Sequence, residues 1–156
     1  MDPTTSEERA PSDLSSLVGW AVQRTRPTAT ASSLTCEQAL RIGVTLTIAL
    51  LPHWSDPDPR VEAALRGATH ALTTRIEPAL EAVSARAFDV EDEQSSPVRR
   101  RIASAAGHCA AIAAGFVGEL SDVLEDAVAV AMERDGVSEV EAVARTWAVV
   151  QQALRE

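Results

Sequence analysis

Apolar residues recur at helical spacing along most of the chain. Leu14, Leu17, Val18, Ala21 and Val22 share one face of a short helix that Ser12 or Asp13 can cap and that runs to about Arg24. A second helix opens on a capping box, Thr35 with Gln38, and reaches about Leu51. Inside it Ile42, Val44, Leu46, Ile48 and Leu50 alternate with other residues, as in a strand. No other segment offers that strand a partner, and a lone strand leaves its backbone groups unsatisfied, so a helix is expected.

Val61, Leu65, Ala68, Leu72, Ile76, Leu80 and Val83 are spaced by threes and fours. They predict one helix, capped by Asp58 with Pro59 at its first position, running to about Ala87 and kinked at Pro78. The acids of 89–93 would oppose the dipole of a last helical turn, so that run is expected to be a loop. Ser96 and Pro97 open a further helix, expected to pass with a bend through 115–118 and to end at Gly136. Ser138 and Glu141 form another capping box, before a seam of Val140, Val143, Trp147, Val150 and Leu154.

These elements predict an all-α fold. Residues 1–12 are expected to be disordered, and 13–34 to form a short helix and flexible linker. Residues 35–156 form a four- to five-helix bundle to which that first helix is tethered. The 156-residue length suits one such domain.

Composition narrows the function. The chain has no Lys, Asn or Tyr, and all 14 of its basic residues are Arg. That usage is expected of a GC-rich, bacterial genome. It also removes lysine Schiff-base and P-loop chemistry. A net charge of −9 with 3% aromatics disfavours nucleic acid, which demands clustered positive charge or stacking platforms. An anionic membrane surface is disfavoured for the same reason. The uncharged stretch from Ile102 to Gly118 is too short and too rich in Ala and Gly for a membrane span, and reads as a buried helix. The first twenty residues lack a cationic-then-apolar leader pattern, so a cytoplasmic location is expected, with Cys36 and Cys109 as reduced, buried thiols.

Candidate chemistry is sparse. There is no Cys-x-x-Cys, His-Glu-x-x-His or Glu-x-x-His, so no metal site and no cofactor are expected; His108 reads as a satisfied core histidine. There is no Gly-x-Ser-x-Gly elbow, and Cys109 reads as a small buried apolar residue, so no catalytic residue is assigned. Ala103, Gly107, Ala111 and Gly115 make a stripe at every fourth position, with Ala106, Ala110, Ala114 and Gly118 beside it. Small residues at this spacing let another backbone approach closely. Arg99, Arg100 and Arg101 stand in the first turn of their helix against its dipole. They are expected to meet an anion or an acidic partner, with the 89–93 loop as the nearest candidate.

The interface or pocket residues expected from these patterns are Trp54, exposed in its Pro-rich loop, with Gly107, Ala111, Gly115 and Trp147. The function expected first is a non-catalytic interaction protein, an adaptor or an antitoxin- or immunity-like chain. It would pack helix faces on itself, as a homo-oligomer, or on a protein partner. The alternative is a small-molecule-binding or sensor bundle, with its pocket near Pro78 and the helix from His108 to Phe116.

Overall fold

The computed structural model describes residues 10–26, 33–73 and 79–156. Among them the chain is all-helical: α1 Leu14–Arg24, α2 Cys36–Leu50, α3 Pro59–Thr73, α4 Leu80–Glu93, α5 Pro97–Ala113, α6 Leu120–Asp135 and α7 Glu139–Arg155. Single 3-10 turns lie at Leu51–His53 and Val117–Glu119. No helix among the described residues is long and apolar enough to cross a membrane.

The starts of the helices follow local side-chain chemistry. Asp13 accepts from the Ser16 amide, Ser96 from Arg99 and Ser138 from Glu141. Thr35 and Gln38 complete a reciprocal capping box. The 42–50 segment is helix, because both of its faces find cover: Ile42, Gly43, Val44, Leu46, Thr47 and Leu50 are all buried. Alternation along this segment records a helix surrounded on several sides rather than a strand.

Two long helices expected from the sequence are each divided. The stripe from Val61 to Val83 belongs to α3 and α4, and Ala79 between them holds φ +69, which no helix interior accommodates. Pro78, the expected kink, and Ile76 lie outside the described residues, as do 1–9 and most of the linker (27–32). The second division lies after Ala113. Gly115 has φ +114, its N–H donates to the Ile112 carbonyl, and the Phe116 N–H donates to the Ala111 carbonyl. That pair of bonds is a Schellman motif, which stops a helix where a left-handed residue follows it. The helix therefore ends at Ala113 and does not bend through 115–118.

The acidic run 89–93 is the last turn of α4, not a loop. Val90 is fully buried there and anchors the turn. Glu93 receives both Arg60 guanidinium nitrogens at 2.8 and 2.9 Å, and Arg60 also grips Asp58 at 3.0 Å. These contacts hold both carboxyls below their ordinary range and tie the start of α3 to the end of α4.

Helix α5 is the axis of the molecule. It packs against α2, α3, α4 and α6, and ten of its residues are buried. Its side chains are small enough for helices to close in from several directions. α1 is docked on α6 and α7 through Leu17, Trp20 and Ala21. The α7 seam faces inward at Val143, Trp147, Val150 and Leu154, whereas Val140 stands outside at 62% exposure.

The stripe of small residues on α5 is used within the chain. A Cβ on Gly107 would lie 2.8 Å from Cε1 of Phe88, so the ring rests directly on the α5 backbone. The Ser84 hydroxyl donates to the Gly107 carbonyl at 2.7 Å. Gly107→Ala gains about 1 kcal/mol of helix propensity but drives a methyl into the ring, an overpacking cost of about 1–3 kcal/mol. The expected result is a net loss of about 1 kcal/mol in urea unfolding. In a Phe88→Ala background the sign should reverse, so an identical loss in both backgrounds would contradict this packing.

Candidate functional site

A groove of about 280 Å³ opens between α4 and the end of α5. Glu81, Ser84, Ala85 and Phe88 supply one wall, spaced at three and four so that they share one face of α4. Ala111 lies opposite. Beyond the Schellman turn, Phe116 and Glu119 close the end. Phe116 is 54% exposed, a large aromatic left uncovered at the groove's rim.

His108 stands one turn before Ala111. Its Nδ1 lies 2.7 Å from Glu119 Oε1 and 3.9 Å from Asp122 Oδ2. The Phe88 ring meets it edge-on with centroids 4.8 Å apart. Phe88 thus touches Gly107, His108 and the groove at once. His108 is only partly buried, so it is not the core histidine expected; it joins Phe88 of the groove to the carboxylates of Glu119 and Asp122.

The residues singled out from the sequence separate into two groups. Gly107, Ala111 and Gly115 do come together beside the groove. Gly107 lies under Phe88, Ala111 in the wall, and Gly115 in the turn that places Phe116. Trp54 and Trp147 lie elsewhere. Trp54 is 6% exposed rather than exposed, because the 3-10 turn tucks its ring inward and Arg99 covers it at 5.8 Å. Trp147 is buried against Trp20.

The three arginines do not meet the 89–93 acids in any described contact. Arg99 covers Trp54, and Arg101 reaches the buried Asp126 on α6 at 3.1 Å. Arg100 is exposed. Desolvation pushes the Asp126 carboxyl up to about 6, against the opposing pull of Ser104 and Arg101.

The two cysteines are free and differ in setting. Cys36 is exposed, not buried as expected. Cys109 is fully buried, 3.0 Å from the Thr47 hydroxyl, and burial pushes its thiol up to about 12. A thiol so rarely ionised is a poor nucleophile at neutral pH.

Glu81, Phe88, Glu119 and Asp122 were missed as site residues by sequence reasoning. On an uninterrupted helix, residues 108 and 119 would stand about 16 Å apart along the axis. The break after Ala113 folds α6 back and brings them into contact. Gly115 was the available signal, read as a stripe member when it is a helix stop.

No protein family matches the chain, and neither a curated protein nor a solved structure matches it significantly.

Proposed function

We propose that the chain is a small-molecule-binding helical bundle whose ligand sits in the α4–α5 groove. The observation that carries this reading is the groove itself. Two phenylalanines and two alanines line it, with the Ser84 hydroxyl and the Glu81 carboxylate at its side. Apolar walls with a few placed polar groups are the usual build of a ligand site, and the volume of about 280 Å³ falls just below the usual range, which fits a small ligand. The matching ligand is a compact, largely apolar molecule bearing a hydrogen-bond donor or a cationic group.

The features that favoured partner packing are engaged inside the chain. Phe88 covers Gly107, the α7 seam faces the core at every position but Val140, and α1 is docked. Exposed apolar side chains still favour packing on a second copy or a partner: the Phe116 ring, and also Val140 and Ile48.

Native mass spectrometry of the untagged chain, with a thermal-shift screen of small apolar amines, tests both readings. A monomer whose ligand raises the melting temperature supports the groove; at a hundredfold excess over Kd the stabilisation is about 2.7 kcal/mol. Ala85→Trp, which fills the groove from an exposed position, should abolish the shift. A stable dimer or a co-purifying protein, with no shift across the screen, would favour the packing reading.

A further inference from the structure

His108, Glu119 and Asp122 form a second constellation at the end of the groove, and the geometry points to a site for a divalent transition-metal cation, Zn²⁺ above all. Three separate elements converge there. His108 comes from α5, Glu119 from the 3-10 turn and Asp122 from the first turn of α6. One donor atom from each lies within 4.8 Å of the other two.

An imidazole with two carboxylates is a donor set that suits zinc, whereas calcium and magnesium favour oxygen alone. Zinc bonds of about 2.0–2.2 Å set neighbouring donors of a tetrahedral shell roughly 3.4 Å apart. The distances from His108 Nδ1 bracket that spacing, 2.7 Å to Glu119 and 3.9 Å to Asp122. Small rotations satisfy it: Glu119 recedes and Asp122, with a half-exposed side chain, swings inward. Phe88 fixes the imidazole plane from the other side. Three protein donors leave a fourth position for water, the arrangement of an open zinc site. Because Glu119 also lines the groove, that position adjoins it.

The competing account is a plain histidine–glutamate hydrogen bond that braces the α5–α6 turn. It requires only Glu119 as the hydrogen-bond partner and leaves Asp122, at 3.9 Å, a longer charge contact with no bond to make. Asp122 is therefore the residue that decides. The inference does not depend on an organic ligand in the groove, because the metal alone tests it.

The experiment is calorimetric titration of zinc chloride into the untagged full chain, stripped of metal and desalted. One Zn²⁺ per chain is expected. Binding should weaken at least tenfold in Asp122→Asn and vanish in His108→Gln, with circular dichroism confirming that each variant is folded. Cobalt in place of zinc should give the visible absorption of a four-coordinate ion. No stoichiometric binding up to millimolar zinc, or a titration that Asp122→Asn leaves unchanged, overturns the proposal. Should His108→Gln fail to fold, the partly exposed Asp122 position still settles the question.

Discussion

Trp147→Ala is expected to remove about 3–5 kcal/mol of stability, the usual cost of deleting a buried tryptophan. For a chain of this length that is roughly 8–15 °C of melting temperature. The ring stands edge-on to Trp20, with centroids 5.1 Å apart and planes at 87°. Such aromatic pairs contribute about 0.5–1.5 kcal/mol beyond the area they bury. Trp20 is the largest anchor of α1, a helix of only 11 residues that is too short to hold its shape alone. Removing Trp147 should therefore loosen α1 before the rest of the bundle unfolds. Limited trypsin digestion checks this: cleavage after Arg24 should accelerate well ahead of cleavage within α5. Trp147→Phe should retain part of the contact and fall between the two. A loss below about 1 kcal/mol, or uniform acceleration at every arginine, would show that α1 is held by other contacts.

The second large effect depends on pH. Asp126 is 2% exposed, and its carboxyl titrates near 6 in the folded chain against an ordinary 3.8. The folded state thus holds this proton more tightly than the unfolded state does. Its contribution is most favourable below about pH 4, declines as pH rises toward 6, and stays low above that. The gap is worth about 3 kcal/mol at most. Arg101 offsets only part of the burial penalty, because its own side chain is half in water. Asp126→Asn keeps the shape and removes the charge. The variant should exceed the parent by about 1–3 kcal/mol at pH 7.5 and show no advantage at pH 4. Urea midpoints at the two pH values measure the difference. An equal offset at both would mean that the carboxylate is not penalised by burial.

The sequence was most legible where one residue's chemistry decides local structure. Asp13, Thr35, Ser96 and Ser138 each cap the helix they precede, and Gly136 ends α6 with its N–H on the Met132 carbonyl. All-helical character followed from the apolar spacing. What failed was continuity. Hydrophobic periodicity runs on across a break when the next helix happens to resume the phase, as it does from Leu72 to Leu80 and from Ile112 to Leu120. The count of helices therefore came out low. The error carried into the site, since His108 and Glu119 meet only because α5 stops. Trp54 failed for another reason: a proline-rich loop can fold a ring inward, and nothing local in the sequence records that Arg99 would cover it.

The smallness of α5 also sets how the molecule comes apart. α5 brings little bulk of its own, so its burial depends on helices from both halves of the chain. α2 and α3 lie before it and α6 after it, and each packs against it. A fragment ending at Glu93 lacks the axis, and one ending at Ala113 leaves the α6 side of that axis open to water. Neither half closes a core, so the bundle has no natural point of division. The helices packed on α5 are therefore expected to unfold together, in urea transitions that coincide whichever probe follows them.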